Sequence, residues 1–125
     1  MKHILLIDDD ELVRFALNMA LEMAGFKVTP ATHGADPIVT SALNSQQVDL
    51  VISDIIMPEK EGIELLIELR QQHPQLPVIC ISGGGRLSGT DYLISAEKLG
   101  AKAIFRKPLD EEQLITKINK LLSTD

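Results

Sequence analysis

The chain has 125 residues, a formal net charge of -6, and 45% apolar, 24% charged and 3% aromatic residues. That length fits one domain spanning 1–125 and excludes two of ordinary size, and the balance predicts a globular core of Leu, Ile, Val and Ala with no Trp. The acidic charge, without any dense Lys/Arg run, excludes direct nucleic-acid binding as the main function, and no apolar stretch approaches the roughly 20 residues that would span a membrane.

The chain opens with the apolar run "HILLI", expected as strand β1 (3–7). It stops against Asp8, Asp9, Asp10 and Glu11, and acids so early do not suit a signal peptide. Leu12, Val13, Ala16, Leu17, Ala20, Leu21 and Ala24 recur at helical spacing, predicting helix α1 (about 12–24) with Gly25 as its stop. Asp10 and Glu11 would start that helix, where negative charge is favoured. Strand β2 (27–31, "KVTPA") precedes a weaker helical pattern, α2 (about 34–45), in which Pro37 fits only the first turn.

Strand β3 (49–53, "DLVIS") leads into Asp54. Helix α3 (about 62–72) carries Ile63, Leu66, Ile67 and Arg70 and ends before Pro74. Strand β4 (77–81, "PVICI") holds the only cysteine, Cys80. A lone thiol in an apolar run allows no internal disulfide and fits a buried, inert side chain in a reducing cytoplasm. Ser82 and Gly83-Gly84-Gly85 follow, and helix α4 (about 90–99) presents Leu93, Ala96 and Leu99 before Gly100. Strand β5 (103–105, "AIF") runs into Arg106-Lys107-Pro108. Helix α5 opens at its N-cap Asp110, with Gln113 three residues on, and runs through Leu122 with Leu114, Ile115, Ile118 and Leu121 on one face. The three histidines are scattered without metal-ligand spacing and read as surface residues.

Five β–α units in succession predict an α/β fold: a doubly wound parallel sheet with right-handed crossovers and helices on both faces. The chain would stop at its fifth helix, with no appended output domain. In such sheets ligands bind beyond the carboxyl ends of the strands. The residues there are Asp8, Asp9 and Asp10, then Asp54, Ser82 with its glycines, and Lys107. Clustered carboxylates raise one another's pKa, and a divalent cation removes that penalty. Oxygen ligands without a dedicated cage suit Mg²⁺. A carboxylate beside the metal can attack phosphorus to form an aspartyl phosphate, with Lys107 and Ser82 taking charge on the transferred oxygens. Each piece alone has a plainer reading, as loop solvation, a turn residue or a surface lysine. Their joint position at successive strand ends is what points to chemistry.

The motifs "LLIDDD", "DLVISDIIMPEKEG", "VICISGG" and "GAKAIFRKPL" resemble the receiver domain of the bacterial two-component response regulator family across essentially the whole chain. The resemblance implies a flavodoxin-like sheet in the order 2-1-3-4-5. It implies that Asp54 is the phosphoacceptor, served by a sensor histidine kinase or a histidine phosphotransfer protein. Asp8 and Asp9 would hold Mg²⁺, with Asp9 the more direct ligand and the backbone carbonyl of Ile56 a further one. Ser82 matches the switch hydroxyl and Lys107 the lysine that contacts the phosphoryl group. The Lys107–Pro108 bond matches one usually cis, and Met57-Pro58 and Gly62 match the loop after the acceptor. Such a domain is not an enzyme with a separate substrate. It promotes its own phosphorylation and dephosphorylation, and it changes an α4–β5–α5 surface that speaks to a downstream protein or output domain. Tyr92, Ile94 and Arg106 are the expected members of that surface.

Several positions depart from the family pattern. The aromatic often found three residues before the lysine is replaced by Ile104, with Phe105 after it. The segment "SGGGRLSGTD" is long and glycine-rich. "GAKAIF" lacks the acids common where receivers dimerise through α4 and α5. Ile56 and Gly84, which flank the acceptor, have no side chain that could position water, so slow loss of the phosphoryl group is expected. The same residues raise two alternatives. A haloacid dehalogenase-type phosphohydrolase shares Asp-x-Asp after its first strand, but position 12 is Leu and the fifth strand ends in Arg106-Lys107-Pro108 rather than an acidic pair. A degenerate receiver acting as a scaffold conflicts with all five key positions being filled.

Overall fold

The computed structural model describes residues 1–45, 47–54, 62–83, 97–107 and 109–123. The strands are β1 His3–Ile7, β2 Lys27–Ala31, β3 Leu50–Asp54, β4 Val78–Gly83 and β5 Ala103–Lys107. They form one sheet in the order β2-β1-β3-β4-β5, parallel at every junction. Helices α1 Glu11–Met23, α2 Pro37–Ser45, α3 Gly62–Gln72 and α5 Glu111–Leu122 alternate with the strands. Most of the α4 span lies outside the described residues, of which Glu97 and Lys98 are helical. No helix among the described residues is long and apolar enough to cross a membrane.

Side chains of a strand alternate between its two faces, so each central strand feeds two cores. Ile4, Leu6, Leu50, Ile52, Ile79 and Ile81 pack with Leu17 and Leu21 of α1 and Leu114 and Ile118 of α5. Leu5, Ile7, Val51, Val78 and Cys80 pack with Val39 and Ala42 of α2 and Leu65, Leu66 and Leu69 of α3. β1 and β3 are buried at every position, which is why they are apolar apart from His3, Ser53 and Asp54. Each such Leu or Ile contributes about 1.5–3 kcal/mol by leaving water. β2 is an edge strand, and only an edge tolerates Pro30, which has no N–H to donate.

The helix ends follow from local chemistry. The Asp10 carboxylate accepts from the backbone N–H of Leu12 at 3.0 Å and Val13 at 3.2 Å, satisfying two first-turn donors. Asp110 accepts from Gln113 N–H at 3.1 Å. Gly25, at φ 99°, follows the Ala24 C-cap in the left-handed conformation that ends helices. Gly100 is also left-handed, at φ 106°, and a Cβ there would lie 2.8 Å from Arg70 Nε. Arg70 in turn donates to Pro74 O at 2.8 Å. Gly100→Ala is therefore expected to cost about 2 kcal/mol in chemical denaturation, strained by φ and by the arginine. Gly25→Ala, with open space around its Cβ, should cost only the φ penalty, about 1 kcal/mol. Equal losses would mean that the Arg70 contact contributes nothing.

Five expectations need correction. β3, β4 and β5 run past their apolar stretches, so Asp54, Ser82 and Lys107 lie within strands rather than after them. Apolarity marks where side chains meet the core, whereas the backbone ladder continues as long as a neighbouring strand does. α2 starts at Pro37 rather than at 34, because Asp36 holds the preceding turn by accepting from Thr32 N–H and from Ile38 N–H. In α1, Leu12, Ala16 and Ala24 are exposed, and the buried face is Leu17 and Leu21. Ile67 of α3 is likewise exposed, because Leu65, Leu66 and Leu69 take the core side. His3 is buried rather than on the surface. Its Nδ1 lies 3.1 Å from Gln47 O and its Nε2 2.7 Å from Thr29 Oγ1, so both ring nitrogens are satisfied without water.

Candidate functional site

Asp8 follows β1, Asp54 ends β3, Ser82 is next to last in β4, and Lys107 ends β5. The register sets Ile7 against Ser53, Asp54 against Ile81 and Gly83 against Lys107. All four residues therefore meet at the carboxyl edge of the sheet. Period-two alternation assigns their faces. Asp8, Asp54 and Lys107 continue the rows of Leu6, Ile52 and Phe105 on the α1/α5 side. Ser82 continues the row of Cys80 on the other side.

The Lys107 ammonium joins the two acids. Nζ donates to Asp54 Oδ2 at 3.0 Å and to Asp8 Oδ1 at 3.3 Å. It also stands 3.0 Å from Asp8 Oδ2, without hydrogen-bond geometry, so that buried oxygen has no hydrogen-bond partner among the described residues. The three side chains are 16%, 0% and 5% exposed for Lys107, Asp8 and Asp54. Two buried carboxylates thus share the Lys107 ammonium.

The electrostatics register this sharing. Burial pushes the Asp8 carboxyl up from 3.8 to about 6; the Asp54 charge adds to the rise, while the Asp10 N–H and Lys107 oppose it. For Lys107, burial acts to lower its pKa, but hydrogen bonds and charge from Asp54 and Asp8 outweigh it and the net shift is upward. Cys80 beneath the site is pushed up to about 12 by burial and by Asp54, which suppresses the thiolate and leaves the side chain inert.

The turn after β1 is held from several sides. Asp10 N–H donates to Asp8 Oδ1 at 2.8 Å, and Asp8 N–H donates to Ala31 O at 3.1 Å. Arg14 Nη1 donates to Asp8 O at 2.7 Å. The sequence reading missed Arg14. Its signal was available, because it lies three residues before Leu17 and seven before Leu21, a charged residue in a slot facing the core.

Asp8, Asp9 and Asp54 offer one oxygen each within 4.8 Å of one another, Asp9 from the exposed side. An oxygen-only set with a buried, unbonded carboxylate oxygen fits a hard divalent cation such as Mg²⁺. Ile56, Met57, Pro58, Gly84, Gly85, Tyr92, Ile94 and Pro108, expected around the site or its output face, lie outside the described residues. Ser82 is buried at the same edge.

Comparison with known proteins places this geometry among relatives. The family model described as the response regulator receiver domain matches residues 4–119. The DNA-binding transcriptional regulator NtrC of Escherichia coli K12 is 36% identical over 117 residues, covering 94% of this chain and 24% of the relative. The transcriptional regulatory protein CpxR of Klebsiella pneumoniae is 39% identical over 122 residues, covering 98% and 50%. The chain thus spans a quarter to a half of the length of these curated relatives. Among solved structures, the receiver domain of NtrX from Brucella abortus superposes with a TM-score of 0.86 at 31% identity, covering 98% of this chain and 99% of that one. A receiver domain protein from Clostridium thermocellum gives 0.87 at 30% identity, covering 98% and 94%.

Proposed function

This chain belongs to the response regulator receiver domain family, and from that premise we propose that Asp54 is the residue that takes the phosphoryl group. Receiver domains are the phosphoacceptor modules of two-component signalling, and neither the phosphohydrolase nor the scaffold alternative is favoured. The observation that carries the assignment is the Lys107 ammonium bridging Asp54 and Asp8 at the carboxyl edge of the sheet.

In the step we propose, an Asp54 carboxylate oxygen attacks phosphorus of a phosphohistidine on a sensor kinase or phosphotransfer protein. The P–N bond breaks, its electron pair stays on the imidazole, and Asp54 becomes an acyl phosphate. Lys107, already at Asp54 Oδ2, neutralises charge gathering on the phosphoryl oxygens. Ser82 supplies a hydroxyl donor to the same group from the neighbouring strand. Asp8, Asp9 and Asp54, with the Ile56 carbonyl, would hold Mg²⁺, which would offset the phosphoryl charge.

The signal leaves through the α4–β5–α5 surface to a downstream protein or an output domain on a longer chain. Arg106 is exposed on β5, which supports its membership of that surface. Ile104 packs on the α2/α3 core and Phe105 on the α1/α5 core. The two face opposite ways, so Phe105 cannot stand in for an aromatic at position 104, and transmission proceeds without a ring rotation there.

Incubation with a small acyl-phosphate donor and Mg²⁺ tests the assignment by intact mass. The wild-type chain should gain one phosphoryl mass and the Asp54→Ala chain none. Equal labelling of both, or none of the wild type, defeats it. The label should also outlast removal of the donor, because Ile56 and Gly84 position no water. A half-life of seconds in Mg²⁺ would contradict that expectation.

A further inference from the structure

A cavity of about 400 Å³ sits at the amino edge of the sheet, the edge opposite Asp54. It lies between α2 and the loops that lead into β3 and β4. The length of β3 sets it about 16 Å from Asp54. Leu43, Val48 and Leu76 form its floor, partly buried where they pack on the α2/α3 core. Pro74 and Pro77 join them, and Asp49, His73 and Gln75 supply the polar lining.

The walls are fixed before anything binds. His73 N–H donates to Leu69 O at 2.7 Å and Leu76 N–H to His73 O at 3.0 Å, so the loop after α3 is a closed turn. Arg70 Nη1 donates to Pro74 O at 2.8 Å, and Val51 N–H to Pro77 O at 3.0 Å. The two prolines remove further backbone freedom. Across the cavity, Asp49 exchanges two bonds with His3. Its N–H donates to His3 O at 2.8 Å, and its Oδ2 accepts from His3 N–H at 2.8 Å. A cavity held this way loses little entropy when it is filled.

The polar lining names the ligand class. Asp49 is half-buried, and among the described residues its carboxylate makes no ion pair. The side chains of His73 and Gln75 make no hydrogen bond there either. We propose that this cavity binds a small primary amine with an apolar body, held as its ammonium. The three N–H donors of an ammonium match three acceptors: the Asp49 carboxylate, a ring nitrogen of His73 and the amide oxygen of Gln75. The hydrocarbon part covers Leu43, Val48 and Leu76, the division of labour usual in small-molecule sites. Ligand count argues against a metal ion. One carboxylate and one imidazole fall short of the roughly six oxygens of a hard cation and of the three protein ligands of zinc. An anion would face the Asp49 charge. A lysine side chain from another protein is a single unbranched stem and would leave most of the volume empty.

This site does not depend on the role of Asp54. NMR titration of the whole isotope-labelled chain with phenethylamine, without Mg²⁺ or phosphodonor, tests it. The backbone amides of Val48, Asp49 and Leu76 should shift together and saturate, with a Kd on the order of 0.1–1 mM for a ligand of this size. Phenethyl alcohol, which lacks the charge, and methylamine, which lacks the apolar body, should each bind about tenfold more weakly. Asp49→Asn keeps an acceptor for His3 N–H and should weaken phenethylamine binding about tenfold. Gln75→Lys, at an exposed position, brings a rival ammonium to the cavity and should weaken it as much without touching His3. Shifts that stay linear to about 10 mM overturn the proposal. So do shifts that centre on Asp8, Asp9 and Asp10 instead, equal binding of either analogue, or either variant binding as the wild type does.

Discussion

Lys107→Ala is expected to lower the stability of the metal-free chain by about 3 kcal/mol near neutral pH. The reason is the geometry at the strand ends. One ammonium lies within 3.3 Å of two buried carboxylates, and its removal takes away the cation that they share. For a domain of this size the loss lowers Tm by about 10 °C. The loss should shrink in acid, because Asp8, already raised by burial, then takes up a proton in the folded state. Mg²⁺ should restore part of the stability, since the metal replaces the missing charge, but it should not restore labelling of Asp54 from a small phosphodonor. Thermal unfolding with and without Mg²⁺ checks the prediction. An unchanged Tm in the metal-free variant would show that the lysine does not hold the two acids together.

Asp8→Asn should act in the opposite direction on the same site. The Asp8 carboxyl is raised from 3.8 to about 6, so the folded chain binds the proton more tightly than the unfolded chain does. Between those two values the folded state carries more protons. The Asp8 contribution to the unfolding free energy therefore rises as pH falls through about 6 and levels off below 3.8. Above pH 6 the ionised, buried Asp8 is a standing cost of about 3 kcal/mol. Asparagine keeps an acceptor for the Asp10 N–H and removes the charge, so the metal-free variant should be more stable than wild type at about pH 8, with no gain at about pH 4. It should also lose the stabilisation that Mg²⁺ gives the wild type. Denaturant titrations at the two pH values, with and without Mg²⁺, read both effects. A variant less stable than wild type at pH 8 would mean that the Asp8 charge is better compensated than the distances to Lys107 imply.

Both predictions arise from an arrangement that was partly legible along the chain. The triplet Asp8-Asp9-Asp10 separates into three roles. Asp10 stands at the start of α1, as its charge suggested, and the structure makes it the helix cap. Asp8 is fully buried and Asp9 exposed, a division that adjacency in sequence could not supply. The strand runs were readable because burial on both faces demands consecutive apolar residues, as in "ILLI" and "LVI". The outer face of α1 was misread for a related reason. Its apolar residues surround the helix, and periodicity alone cannot say which arc meets the sheet. Arg14 and His3 were missed as structural residues because their partners, Asp8 O for one and Gln47 O and Thr29 Oγ1 for the other, are set by the fold rather than by spacing.

By itself the sequence determined the alternation of elements, the apolar strands, the acidic start of α1, the cap at Asp110, and which polar residues stand at strand ends. These follow from interactions within a few residues, where local spacing is a sufficient guide. The tertiary structure alone decided that Lys107 lies 3.0 Å from Asp54, although 53 residues separate them in sequence. It decided that Asp8 carries a buried oxygen without a hydrogen bond among the described residues, and that α1 turns a second apolar face outward. Those outcomes depend on strand order, register and the side of the sheet each helix covers, and parallel pairing of distant segments sets all three.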